Sequence, residues 1–187
     1  MPKTETIPCT KEEIDKIVNA SIDNDYFFML FMVAKTTGRR LGEYHKVKVK
    51  DIHENPDGTK IMITQVLKRK KYVDKEAILS EEVYRIVNQY IIKYKLKLDD
   101  YLFRGKGHSY RHIQNRIKFY ADKAEIKHNV TFHNFRHYFV TELVRKGWSY
   151  DKISKLTGHS SVGTLSVYDH AVASDIKDDA LEALKDL

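Results

Sequence analysis

The sequence has a single cysteine, Cys9, in 187 residues. One thiol excludes an internal disulfide and fits an intracellular protein, with the cytoplasm as the expected location. No apolar run reaches the length that crosses a bilayer, so no membrane partner is expected, and the opening MPKTETIPCTKEE lacks the apolar stretch of a signal peptide. Nine histidines beside that one cysteine show no zinc-ligand spacing, so neither a structural metal nor a cofactor is expected. A phosphate-cradling glycine loop, an internal repeat, a low-complexity segment and an interdomain linker are all missing too.

What is present is a globular composition, 42% hydrophobic and 32% charged, in a chain long enough to bury a core. The formal charge of +7 points to an anionic partner, nucleic acid being the commonest. Thr10-Lys11-Glu12-Glu13 reads as a capping box that opens a helix with Ile14, Ile17, Val18 and Ile22 on one face. Asp25 is expected to cap a second, almost wholly apolar helix that stops at Thr37-Gly38. RRLGEYHKV reads as a short helix bringing Arg39, Arg40 and Glu43 together. From Val47 the period becomes two. VKVKDIH, KIMITQVLK and KYVDKEAIL are expected as three antiparallel strands, with a turn at Asn55–Gly58 and the basic run 68–71 near the last turn. Helices follow from Ser80, Tyr110, His133 and Ser149, then a short one leading to Tyr168 and an amphipathic tail helix from Ser174. The fold class is therefore mainly α with a small antiparallel β-sheet, α+β, in a single domain over 1–187. Residues 1–9 form a lead-in, 10–170 the core and 171–187 a C-terminal helix.

The residue types that stand out suit phosphate chemistry. Cutting a phosphodiester without a metal requires neutralising charge on the non-bridging oxygens, an in-line nucleophile and a proton for the leaving oxygen. Arg40 and Arg136 offer planar, always-charged forks that bind phosphate bidentately, and each stands beside a helix terminus. Alone, Arg40 with Glu43 is an ordinary i,i+3 ion pair, and Tyr168 is one of twelve tyrosines.

In order along the chain, Thr37-Gly38-Arg39-Arg40 with Glu43, the lysines near 68–71, His133-Asn134-Phe135-Arg136-His137, Thr157-Gly158-His159 and Thr164 with Tyr168 resemble the signature of the tyrosine recombinases, the phage-integrase and Xer family. The resemblance covers roughly residues 10–187 and implies that family's catalytic-domain fold. It implies an enzyme in which Tyr168 attacks the scissile phosphate, giving a 3′-phosphotyrosyl link and a free 5′-hydroxyl. Arg40 and Arg136 clamp the phosphate, His159 adds a hydrogen bond, His133 assists proton transfer, and Glu43 supports the site. A hairpin lysine, Lys68 or alternatively Lys70, protonates the leaving oxygen. The resemblance implies double-stranded DNA as partner, with self-association from dimer to tetramer. The C-terminal helix then packs either on a neighbouring protomer or back on its own core. Arg39, Lys71, Arg104, Lys106, Arg111, Arg116 and Lys118 are expected along the DNA backbone, positioning the duplex without reading its sequence.

Three departures from the family pattern are visible. Arg39 replaces an apolar residue, Gly42 replaces a common serine, and the helical DNA clamp usually found upstream is expected to be absent. A type IB topoisomerase, which shares the chemistry, and a non-catalytic DNA-binding relative are the alternatives.

Overall fold

The computed structural model describes residues 7–68, 71–104 and 109–158. The capping box is formed as the sequence predicts. Thr10 accepts the Glu13 N–H, Glu13 accepts the Thr10 N–H, and α1 runs Lys11–Ala20 with Ile14, Ile17 and Val18 buried. Ile22 is a correction, because the helix stops two residues short of it and it stands 68% exposed. The cap of α2 (Asp25–Thr37) is also corrected. Asn24 supplies the side-chain oxygen, to the Phe27 N–H, whereas Asp25 lies inside the helix and takes hydrogen bonds from Lys93 and Tyr94. The helix is apolar nearly all round because it runs through the core. Phe27 and Phe31 pack on Tyr120, and Phe31 stacks on Phe135 at 5.3 Å.

α3 is a single turn, Leu41–Tyr44. The three strands are β1 (Ile52–Glu54), β2 (Lys60–Lys68) and β3 (Lys71–Ile78), antiparallel in that order. Their register runs from Ile61 opposite Ile78 to Lys68 opposite Lys71. The first strand is shorter than its alternating sequence suggests. Val47 and Val49 are buried as alternation requires, but their backbone pairs with Leu102 and Asp100 rather than with the sheet, and a 3₁₀ turn at Val49–Asp51 precedes β1. α4 (Glu81–Lys93) is capped by Ser80 and packs against α2, and α5 (Tyr110–Lys123) is capped by Ser109 and packs against α1. The fold is thus mainly helical with one three-stranded sheet.

Two compact units divide the chain, 1–138 and 139–187, with the boundary inside α6 (His133–Arg145). In the second unit α7 (Tyr150–Thr157) ends at Gly158, whose φ of +71° is a left-handed stop, and Val140 and Ile153 pack with Leu143, Val144 and Tyr150. No described helix is long and apolar enough to cross a membrane.

Candidate active site

The site grows from the end of α2. Gly38 takes a φ of +58°, a conformation glycine adopts without a Cβ penalty, and turns the chain sharply into Arg39 and Arg40. A buried phenol fixes the turn: Tyr44 Oη accepts the Arg39 N–H at 3.0 Å and shares a 2.7 Å hydrogen bond with Thr37. Burial pushes the Tyr44 hydroxyl well above its ordinary pKa, so it stays protonated.

Consecutive arginines then diverge. The Arg40 side chain is 46% exposed, and Glu43 holds it through both carboxylate oxygens, one on the backbone N–H at 3.3 Å and one on Nη1 at 3.2 Å. Glu43 is itself buried, so the pair fixes the guanidinium more firmly than a surface ion pair would. Arg39 is only 1% exposed, and its Nη2 donates to the Glu76 carbonyl of β3 at 2.6 Å. Arg39, expected along the DNA backbone, is thus buried beside the turn. The turn drives its side chain inward, and desolvation lowers its pKa.

Arg136 comes from α6, 1% exposed, and donates from Nη1 to the Gly38 carbonyl at 2.9 Å, tying the two arginine motifs together. The start of α6 is fixed by Asn134, whose Oδ1 accepts from the Thr131 N–H and hydroxyl at 2.9 and 3.0 Å. His133 stands at the mouth of a cavity of about 150 Å³, together with Arg39, Arg40, Gln114 and Thr131. Its ring meets that of His137 at 4.5 Å. The His133 pKa is pushed down to about 4, first by desolvation and then by His137, Arg136 and Arg40.

His133 is therefore neutral at pH 7. The sign follows: its folded pKa lies below the ordinary value of about 6.5, so protonation opposes folding. The contribution to stability is full above pH about 6.5 and is lost as the pH falls toward 4. An NMR titration of the DNA-free protein should place the His133 midpoint far below about 6.5, and a midpoint at the ordinary value would contradict this environment.

Two wider hollows adjoin the cavity. One of about 400 Å³ shares Arg40 and Tyr110 with it and adds Lys46 and Tyr72. The next, about 520 Å³, shares Lys46 and Gln65 and adds Lys48, Lys50 and Arg104. Lys46 Nζ lies 3.0 Å from the Tyr72 ring centroid, and Lys48 and Arg104 lie 5.5 and 5.4 Å from that of Tyr101. The sequence reading missed Lys46, Lys48 and Lys50. Their signal is the alternation HKVKVKD, which buries the valines and leaves the lysines partly or fully exposed.

Of the other expected residues, Arg111 and Lys118 are exposed on α5. Arg116 is drawn elsewhere: its guanidinium sits 4.0 Å from the Phe119 ring and donates to Tyr120 Oη at 3.1 Å. It lies two residues, about 200° of turn, from Gln114. Lys71 opens β3 and is exposed, with the backbone of Lys68 opposite. Lys70, Lys106, His159, Thr164, Tyr168 and the C-terminal helix lie outside the described residues.

Among the described residues one group has metal-ligand types, Cys9, Glu13 and His128. Its carboxylate is already committed, Oε2 to the Thr10 N–H and Oε1 to His128, and burial pushes the thiol up to about 12. The group reads as a paired corner that anchors the start of α1.

Comparison with known proteins agrees with this architecture. Residues 9–174 match the model of the phage integrase family. A tyrosine recombinase of Pseudothermotoga lettingae is 30% identical over 173 residues, which are 92% of this chain and 58% of that one. The fold is similar to the crystal structure of XerA recombinase, with a TM-score of 0.78 at 24% identity, covering 96% of this chain and 65% of that chain. It is also similar to the catalytic domain of bacteriophage HP1 integrase, with a TM-score of 0.63 at 16% identity, covering 89% and 88%.

Proposed function

The chain belongs to the phage integrase family, the tyrosine recombinases, and from there we propose that it is the catalytic domain of a site-specific DNA recombinase. The observation that carries this reading is the meeting of two motifs 98 residues apart: Arg136 bonds the carbonyl of Gly38, beside Arg40 and its Glu43 support, with His133 at the same cavity. Such a site can neutralise a phosphate from two sides without reorganising.

In the proposed reaction Tyr168 Oη forms a bond to the scissile phosphorus while the bond to the 5′-oxygen breaks. Arg40 and Arg136 stabilise the charge that builds on the non-bridging oxygens, with His159 as a further donor. Neutral His133 receives a proton at the phenol side, and Lys68 or Lys70 delivers one to the 5′-oxygen. Attack by the 5′-hydroxyl of another strand reverses these steps, so the phosphodiester energy is kept in the phosphotyrosyl bond.

The substrate is double-stranded DNA in the cytoplasm. Solved structures of similar fold include a XerH recombinase bound to a difH substrate and a lambda integrase dimer bound to a core site, which support DNA binding and self-association here. The test is a nicked duplex that loses its 5′-hydroxyl fragment on cleavage, with supercoiled plasmid relaxation beside it. A metal-independent covalent protein–DNA adduct is expected, and none with either DNA would count against the catalytic reading.

The DNA backbone is proposed to follow the hollows lined by Lys46, Lys48 and Arg104. Each phosphate neutralised by a cation steepens the logarithmic salt dependence of binding by about 0.9. The double variant Lys46→Gln/Lys48→Gln should flatten the slope by about 2, measured by fluorescence anisotropy between low and moderate salt. An unchanged slope would move the backbone elsewhere.

A further inference from the structure

Burying Arg39 is costly. It is 1% exposed, and its Nε and Nη1 are enclosed without a hydrogen-bond partner. Glu43 offsets part of the charge but accepts its hydrogen bonds from Arg40. Among the described residues one side-chain hydrogen bond of Arg39 remains, from Nη2 to the Glu76 carbonyl at 2.6 Å. That carbonyl has no partner inside the sheet. The Leu79 N–H donates to the Lys60 carbonyl, and along an antiparallel ladder hydrogen-bonded pairs alternate with pairs that are not. Glu76, opposite Ile63, falls on a pair of the second kind and turns its backbone groups away from β2. β3 is an outer strand of the sheet, so those groups face its open edge. For one carbonyl, Arg39 therefore takes the place of a fourth strand. Its own backbone is fixed as well, by the hydrogen bond from the Arg39 N–H to Tyr44 Oη.

We propose that Arg39 is a positioning residue, tethering the β2–β3 hairpin to the turn that presents Arg40 and so setting where the hairpin lysine meets the leaving oxygen. This rests on the function proposed above. In that reaction the phosphate is held from the Arg40 turn, whereas the leaving-group proton comes from the hairpin. The two must stay aligned, since a misplacement of about 1 Å costs on the order of 10² in rate. The Nη2 bond joins one to the other directly, across 37 residues of chain. A guanidinium suits this task because its planar fork fixes the direction of the donated bond. An apolar side chain would fill the same space without the desolvation cost, but would leave the edge carbonyl to water.

The test compares two nicked duplexes, one natural and one with sulfur in place of the scissile 5′-oxygen. Cleavage of either forms the phosphotyrosyl bond at phosphorus. The P–O bond breaks with uptake of a proton by the leaving oxygen, whereas the P–S bond releases a thiolate that needs none. Arg39→Met is expected to slow adduct formation on the oxygen substrate by about 10-fold to 10²-fold. On the sulfur substrate it should stay within about twofold of wild type, because the proton donor is no longer needed. It should unfold in urea no earlier than wild type, since an apolar chain replaces a desolvated charge. Arg39→Lys keeps a donor on a less directional head, should show an intermediate oxygen-to-sulfur ratio, and serves if Arg39→Met does not fold. An equal defect on both substrates, or no defect on either, would overturn the proposal. Hydrogen exchange of the DNA-free protein reads the tether itself. Amides of the β2–β3 ladder should exchange severalfold faster in Arg39→Met while those of α2 and α4 do not change, and unaltered hairpin protection would also overturn the proposal. Because exchange needs no cleavage, absence of any adduct from wild type would count against the catalytic reading and leave the tether to be decided by exchange.

Discussion

Tyr168→Phe is expected to abolish the covalent protein–DNA adduct and plasmid relaxation while leaving DNA binding within about twofold. The substitution removes one oxygen and keeps the ring, so packing is barely disturbed. A covalent route that loses its nucleophile loses on the order of 10⁴-fold or more in rate. No other tyrosine has Tyr168's place in the ordered motif. It follows Gly158-His159 by nine residues, and Gly158 is a left-handed helix stop. Tyr44, beside the arginines, cannot substitute, because it is fully buried and its phenol holds the Arg39 turn. Adduct formation that survives in Tyr168→Phe would assign the nucleophile elsewhere, and peptide mapping of the adduct would locate it.

Arg136→Ala should do more damage than Arg40→Ala, and of a different kind. Both remove a fork proposed above to bind the phosphate, so each should slow cleavage by about 10² to 10³. Arg40 is 46% exposed in its side chain, and its loss leaves Glu43 with the backbone N–H still bonded, so stability should change little. Arg136 is 1% exposed and bonds the Gly38 carbonyl across 98 residues. Its removal leaves a cavity and an orphaned carbonyl in the turn that aims Arg40. A loss of about 3 kcal/mol of folding stability is expected, by analogy with other broken buried polar contacts. Urea unfolding of the two variants distinguishes them. Equal stability would mean that the buried bond contributes nothing to holding the turn.

Much of this site was legible because its signals are local. The capping box at Thr10, the glycine stop at Gly38 and the helix from His133 each follow from a few neighbouring residues. The ordered family motif pointed to Arg40, His133 and Arg136, and the structure brings Arg136 to the Gly38 carbonyl beside Arg40 and His133 to a cavity that Arg40 lines. Other features escaped because they depend on partners distant in sequence. Nothing near Arg39 tells that the Glu76 carbonyl will accept a hydrogen bond from it, or that one of two consecutive arginines will be buried and the other half exposed. Alternation correctly buried Val47 and Val49 but could not say that Asp100 and Leu102 would pair with them instead of the sheet. Arg116 looked like one more cation on a basic helix, yet the aromatic rings of Phe119 and Tyr120 claim it.

The β2–β3 hairpin can also be regarded as a cantilever. Its root is clamped where Arg39 grips the Glu76 carbonyl, and its free end is the rung where Lys68 faces Lys71. Five residues separate clamp and end, a beam of about 17 Å at strand rise. Most of β3 along that span is exposed, and it is braced by its pairing with β2, by the Thr64 hydroxyl donating to the Lys75 carbonyl and by Lys46 leaning on the Tyr72 ring. A pivot of only about 4° at the clamp displaces the far end by about 1 Å, enough to cost a positioned proton donor on the order of 10² in rate. Under the mechanism proposed above, in which a hairpin lysine is the proton donor, a side chain that stiffens or slackens the root would tune the timing of the leaving-group proton.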